Sequence, residues 1–437
     1  MKHSLTFWIL RSPCPLEGSD RQKLFGDGLC LSFHPDSSRR GFPGGKTSKF
    51  SSMKMKKTLA ALAILGAFAG SAAAADVTLY GLVDYGFSFE HTDGDTAADA
   101  SDSFQMKSGQ NSGSRFGVKG TEDLGNGLKV GFVLENGFAG DSGTFSTTNK
   151  LFDREAQLNL SGAFGTIAFG RMGQLASANG SFGLLGQTSP FSSGWGDSIG
   201  QKYVTADGWT RFDNTITYAT PDFAGFKVYA QYSFKNSSTE GGDEGKSSAN
   251  RYYGIAATYK AENLYLVGIV DSINHGKQMY FGGTGYDYTY DADQLTVTLG
   301  GNYDFGVAKV YAMGQYFQNA VSVGQKYITD SGFGKFGYTF GDTAGWEGAD
   351  GYGLALGVGV PVLGGTAKAH VGYMDAEAAE DSSRKLSRWN VAVGYDYSLS
   401  KRTSVYSAAA YTKDDNTDYT GLEPSSVEVI AGLIHRF

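Results

Sequence analysis

Cysteine is almost missing from this chain: there are two in 437 residues, Cys14 and Cys30, and both precede residue 76. Beyond that point disulfides and thiolate metal sites are excluded. The same region contains no run near the ~18 consecutive apolar residues of a membrane-crossing helix. Proline is scarce, standing after residue 75 only at Pro190, Pro221, Pro361 and Pro424. All four fall in connecting segments, where a missing N–H breaks no strand ladder. Basic charge is thin as well. Residues 1–75 hold eleven Lys/Arg against four Asp/Glu, which leaves 26 basic and 40 acidic residues, a net of −14, in 76–437. That balance argues against nucleic acid, which rewards clustered Lys/Arg. After residue 75 histidine is dispersed at His91, His275, His370 and His435. Neither metal-ligand spacing nor an activated nucleophile can be built from that set. Gly245-Lys-Ser247 ends like a phosphate-binding loop, but Glu240 stands where its first glycine is required. The acidic run 93–99 lacks the later glycine and glutamate of a calcium loop, and reads as solvated acids. No catalytic residue, resident metal or cofactor is expected.

What the chain has in abundance is glycine (63), phenylalanine (29) and tyrosine (26), within a hydrophobic total of only 41%. Many aromatics without long apolar runs suit a sheet in which every second residue meets an apolar surrounding. The last eleven residues display the pattern. Val427, Val429, Ala431, Leu433, His435 and Phe437 form one face, and Glu428, Ile430, Gly432, Ile434 and Arg436 the other. Near the other end, Val77, Leu79, Gly81, Val83, Tyr85, Phe87 and Phe89 alternate with Thr78, Tyr80, Leu82, Asp84, Gly86 and Ser88. Pairing these two strands would close a barrel. Further oily sets are Leu128–Leu134, Phe226–Phe234, Leu295–Leu299 and Trp389–Tyr397, each taken at alternate positions. Tight turns are expected at 122–126, 161–163, 221–225, 260–263, 303–306, 361–365 and 398–402. Longer polar loops are expected near 91–113, 139–150, 172–210, 235–250, 274–291, 319–350, 375–386 and 414–425. These connections predict an all-β fold, a transmembrane antiparallel β-barrel of roughly sixteen strands. A ring that wide is not filled by its own side chains, so water occupies the lumen.

The N-terminal part reads differently. Met53-Lys-Met-Lys-Lys57, an apolar stretch over 59–68 and Ala73-Ala-Ala75 have the layout of a secretory signal over 53–75. Residues 1–52 have no sustained period. They are expected to be a mis-called start, with translation from Met53 or Met55, or else a disordered extension. The barrel is assigned to 76–437.

Several stretches carry a resemblance. They are Val77-Thr-Leu-Tyr-Gly81, Ser114-Arg-Phe-Gly-Val-Lys-Gly-Thr-Glu-Asp-Leu-Gly125, Leu151-Phe-Asp-Arg-Glu-Ala156, Phe164-Gly-Thr-Ile-Ala-Phe-Gly-Arg171, Arg211-Phe-Asp-Asn214 with Pro221, and Gly432-Leu-Ile-His-Arg-Phe437. Together the chain resembles the trimeric outer-membrane porins of the β-proteobacterial type. The resemblance implies a homotrimer in the outer membrane that passes small hydrophilic solutes and ions. It implies a third external loop folded into the bore, carrying here Asp197 and Asp207. Facing it, the family sets a ladder of basic side chains, matched by Arg115, Arg154, Arg171 and Arg211. Arg115 and Arg211 have inward parity. Arg154 and Arg171 share parity with outward residues, and a bulge would be needed to turn them in. The resemblance also makes His435 and Phe437 part of a C-terminal signal read by the barrel-assembly machinery. The net charge favours cations, but charge at the constriction outweighs charge a Debye length of ~8 Å away, and the arginines there favour anions. A solute-selective channel is the alternative within transport, kept open by tyrosines such as Tyr80, Tyr229 and Tyr311. An outer-membrane barrel hydrolase or a surface adhesin are the alternatives from other classes.

Overall fold

The computed structural model describes residues 75–437, except 96–99, 207, 239–240, 277–279, 282–286, 289–291, 321–322, 325–347, 380 and 417–420. The expected extension at 1–52 and nearly all of the expected signal at 53–75 therefore lie outside the described residues, as does Asp207. The strands are β1 Ala75–Asp93, β2 in two segments, Ser101–Ser108 and Arg115–Gly125, β3 Leu128–Ala139, β4 Glu155–Gly162, β5 Gly165–Gly173, β6 Arg211–Ala219, β7 Phe226–Ser233 and β8 Arg251–Lys260. They continue with β9 Leu264–Asn274, β10 Gln294–Asp304, β11 Lys309–Ala320, β12 Ala349–Val362, β13 Gly365–Ala378, β14 Lys385–Ser398, β15 Thr403–Asp415 and β16 Ser425–Arg436. Each pairs antiparallel with its neighbours in sequence. β16 returns to β1, from Leu82 opposite Arg436 to Asp93 opposite Ser425. Gly81 and Phe437 exchange backbone hydrogen bonds at 3.1 and 3.0 Å beyond that ladder. The chain closes on itself as a sixteen-strand antiparallel barrel.

Alternation decides which side chains meet lipid. The odd-numbered set of β1 and β16 points out, with Phe87, Phe89, Val429 and Leu433 exposed. The even-numbered set points in, and Asp84, Ser88 and Glu428 are fully buried there. The oily sets expected on β7, β10 and β14 also face outward, Leu299 at 64% and Val391 at 45% exposure. A tight turn falls at or next to each of the seven expected places, but strand runs on through 122–125 and 361–362, so Pro361, expected in a connection, lies near the end of β12 opposite Thr366. The first long connection is shorter than expected. Ser101–Ser108 pairs with the upper half of β1, and Phe104 stacks on Phe87 with ring centroids 5.7 Å apart. The alternation of Phe104 and Met106 with Ser103 and Gln105 had been hidden among polar neighbours.

The inward face is less polar than alternation alone implies. Val267, Ile269, Met313, Phe317 and Ile430 all belong to it and are buried. Their cover is the third long connection, residues 174–210, which holds two short 3-10 turns, Leu185–Gln187 and Gln201–Val204. Leu175, Phe182 and Leu185 pack on Tyr265, Val267 and Ile269, while Phe191, Trp195 and Ile199 pack on Tyr406, Ala408 and Ile430. Inward polar side chains fix its backbone. Tyr265 Oη donates to Leu184 O (2.8 Å), Asn302 Nδ2 to Gln187 O (2.7 Å) and Asn390 Nδ2 to Ser198 O (2.7 Å). Gln315 Oε1 accepts from Ala206 N (2.9 Å). The hydrophobic core of this barrel thus lies between its inner wall and the third connection, joined by Val323 of the connection between β11 and β12.

Outward and inward positions should respond differently to charge. Val391→Arg, near mid-strand on the lipid side, is expected to cost ~2–4 kcal/mol, and Lys119→Gln on the inner side within about 0.5 kcal/mol. Urea titration of folding into lipid vesicles measures both.

Candidate functional site

Five adjacent strands bring the predicted arginines to one level of the wall. Arg115 opens the second segment of β2 and faces Gly137 of β3. Glu135 of β3 faces Glu155 of β4, Ala156 faces Arg171 of β5, and Gly173 faces Arg211, which opens β6. Arg154 sits one residue ahead of β4, so strand parity does not bind it. At Arg171 the ladder shifts register between Gly170 and Met172, the kind of bulge expected there.

Arg115 owes its position to the break in β2. Asp84, buried on β1, accepts the backbone N–H of Asn111 and of Ser112 through one oxygen, at 2.8 Å each. Its other oxygen accepts Tyr406 Oη at 2.6 Å. Two consecutive amides turned to one carboxylate cannot also serve a ladder, so residues 109–114 leave the sheet. Gln110 O then accepts Gly196 N of the third connection at 2.7 Å.

A cavity of about 370 Å³ opens between this excursion, the arginine level and the third connection. Arg115, Arg154, Arg211 and Lys202 line it, with Asn179, Ser192, Ser193 and residues 109–113, 178, 180, 194 and 196. Among the described residues, every charged side chain in that lining is basic. Glu135, beside it, partly offsets them: it accepts from Arg154 Nε at 2.7 Å and Tyr80 Oη at 3.0 Å, and lies 3.7 Å from Arg115 Nη1. Arg211 Nη2 donates to Asn179 Oδ1 across the gap at 3.1 Å.

Two sequence-predicted residues sit elsewhere. Arg171 is not in the cavity lining. It donates to Asp213 Oδ1 (2.6 Å), to Asp153 O (2.6 Å) and to Arg211 O (3.2 Å), cross-linking three strand ends. Asp213 in turn accepts Lys150 Nζ at 2.9 Å. Asp197 is not in the lining either, because Lys107 Nζ donates to it at 2.6 Å. Its backbone is clasped by Glu428. That carboxylate accepts Asp197 N (2.9 and 3.0 Å), Ser198 N (2.8 Å) and Ser198 Oγ (2.6 Å). Gly196 has φ +51, and a Cβ there would lie 2.5 Å from Glu428 Oε1, so the clasp requires glycine. Tyr203 Oη donates to Gly196 O at 2.8 Å. Burial and the nearby Glu428 and Asp197 carboxylates push that phenol well above its ordinary pKa.

Sequence reading missed Glu135, Lys202, Asp84 and Glu428. All but Lys202 are acids at inward strand positions, and parity alone could have marked them. Lys202 lies in a 3-10 turn with no periodic signal. His435 Nδ1 lies 2.9 Å from Thr403 Oγ1 at the barrel end, and Phe437 is half exposed beside it. Among the described residues no group of His, Cys, Asp and Glu is arranged to hold a metal ion.

Comparison with known proteins places this geometry. The profile of the Gram-negative porin family matches residues 58–417. An outer membrane porin protein of Bordetella pertussis is 32% identical over 412 residues, covering 88% of this chain and 100% of that protein. Outer membrane porin protein 32 of Delftia acidovorans is 31% identical over 378 residues, covering 85% and 94% respectively. Among solved structures, an anion-selective porin from Comamonas acidovorans superposes with a TM-score of 0.58 at 27% identity, covering 83% of this chain and 100% of that one.

A second clamp holds the far end of the third connection. Arg388 donates to Asp414 through Nε (2.6 Å) and Nη2 (2.7 Å), and through Nη1 to Tyr203 O (3.3 Å) and Gly324 O (2.7 Å), with both charged residues about 1% exposed. Arg388→Leu strands a buried carboxylate and should cost ~3–5 kcal/mol, while the double variant with Asp414→Leu recovers most of the loss. Urea unfolding in detergent compares the two.

Proposed function

Because the chain belongs to the Gram-negative porin family, outer-membrane channels for passive diffusion of small hydrophilic solutes and ions, we propose that its bore is narrowest at the cavity between Arg115, Arg154 and Arg211 and the third connection. Passage there favours anions. The observation that carries the reading is the one-signed lining: three arginines and Lys202, with Glu135 as the nearby offset. Charges at such a constriction act within a Debye length of ~8 Å, whereas the acidic external loops are largely screened from it. Asp197 spends its charge on Lys107, and Arg171 on Asp213, so the basic ladder of the pore is Arg115, Arg154 and Arg211. The solved neighbour described as anion-selective supports the same direction. No covalent step is involved.

The remaining assignments follow the resemblance. The working unit is a homotrimer seated in outer-membrane lipid. His435 and Phe437 form the signal read by the barrel-assembly machinery. Residues 53–75, by their basic, apolar and small-residue layout, are its secretory leader.

Planar-bilayer recording under a salt gradient tests the selectivity. A reversal potential of anion sign is expected. Arg115→Ala, Arg154→Ala and Arg211→Ala should each move it toward the cation side, and Glu135→Gln the other way. A wild-type potential of cation sign overturns the proposal. Light scattering of the detergent-solubilised protein tests the assembly, and a monomer mass would sink the trimer.

A further inference from the structure

Where the third connection crosses β12 and β13, the wall beneath it is bare backbone. A Cβ on Gly353 would overlap Val204 O, and one on Gly357 would overlap Pro190 Cδ. His370 of β13 lies in that bed, facing Gly357 on one side and Ala392 of β14 on the other. A Cβ on Gly372 would lie 2.9 Å from Val204 Cγ2 and 3.0 Å from His370 Nε2, so Val204 and the edge of the imidazole border one space. The ring is 4% exposed, and neither of its nitrogens has a hydrogen-bond partner among the described residues. Buried polar atoms are paired as a rule, and each exception calls for an explanation. An imidazolium carries two N–H donors. The covered bed offers an acceptor to neither, so only the neutral ring fits beneath the connection.

We propose that His370 is an acid-triggered release for the third connection: a proton taken up by the ring draws water under Pro190 and Val204 and lifts the stretches beside them off the β12–β13 wall. The inference rests on the channel reading above. Those stretches lie between the moorings at Gln187, Ser198 and Ala206, so they can rise without the connection coming free. Their other side carries Ser192, Ser193, Gly194 and Lys202 into the cavity lining. Lifting off the wall therefore moves them toward the arginines and narrows the passage. The charged and titratable groups on the surrounding elements do not take the new charge. β12 supplies none from its facing set Ala355, Gly357 and Gly359, and β11 beyond it supplies Tyr311, opposite Gly357. On β13, Lys368 is tied to Asp396 of β14 at 2.7 Å, with Nζ 4.5 Å from the Trp195 ring centroid. Arg388 of β14 is closed on Asp414. The connection itself supplies Lys202, in the cavity lining, and Tyr203, whose hydroxyl donates to Gly196 O. Both acids in this set already hold a cation, so an imidazolium here must turn to water. Protonation of a histidine at a packed contact is a known way to move between two packings.

The test is single-channel conductance in planar bilayers between about pH 7.5 and 4.5, a window that brackets the titration of an imidazole. Wild-type conductance is expected to fall several-fold at the acid end and to recover on return. His370→Leu, uncharged throughout, should keep its neutral-pH conductance. So should Val204→Cys with Gly372→Cys once oxidised, because the 2.9 Å approach lets a disulfide hold Val204 on the wall. The chain after residue 75 has no other cysteine to compete, and reduction should restore the fall. Other acids of the pore titrate alike in all three proteins, so the difference between them reads His370. A wild-type conductance that does not fall overturns the proposal. So does a fall of equal size in either locked variant, and each variant that opens channels at neutral pH decides by itself. The wild-type reversal potential at neutral pH reports the channel reading separately.

Discussion

Everything in this molecule depends on one requirement of hydrocarbon: a backbone N–H or C=O left unpaired in it costs several kcal/mol. An open sheet has two edges of such groups, so the β1–β16 ladder and the Gly81–Phe437 exchange are the condition for the rest. Once the ring is closed, alternation sorts each strand into a lipid set and a lumen set. Wall chemistry then follows from parity, without any helix or disulfide.

Closure leaves a second problem, which the third connection solves. A ring of sixteen strands has no interior of its own, and its inward apolar residues would face water. Residues 174–210 cover Val267, Ile269, Ile430 and their neighbours, and polar side chains from several strands hold the covering backbone. Glu428 at one point and Arg388 with Asp414 at another are fully desolvated and satisfied. Such groups rigidify when every partner is present and destabilise when one is removed. The rigidity holds Asn179 and Ser192 opposite Arg115, Arg154 and Arg211 at a fixed width.

Strand positions, turns and closure were legible in the sequence because each is a local, periodic signal. The short turns and three of the four prolines marked the connections, Pro361 standing instead near the end of β12, and parity told Arg115 and Arg211 from their outward neighbours. Pairing of charges was not legible. Nothing near Asp197 announces Lys107, ninety positions away, and nothing near Arg171 singles out Asp213 over the acids of other strands. Of the two acids expected on the third loop, Asp197 pairs with Lys107 and Asp207 lies outside the described residues, while Lys202 joins the arginines in the described lining. Ser101–Ser108 was read as loop because its two apolar residues are too few to stand out. Asp84 was placed on the right face, but its hold on two amides appears only once residues 109–114 are seen to leave the sheet.

The clasp at Glu428 leaves an opening for evolutionary change. It grips main-chain amides of Asp197 and Ser198, a donor that every amino acid except proline supplies. The side chain of Asp197, which enters the clasp only through its backbone, can be exchanged while the loop stays moored, provided Gly196 and Ser198 are kept. Descendants of this gene could retune which solutes pass by drifting at the loop's tip, without rebuilding the pore that carries it.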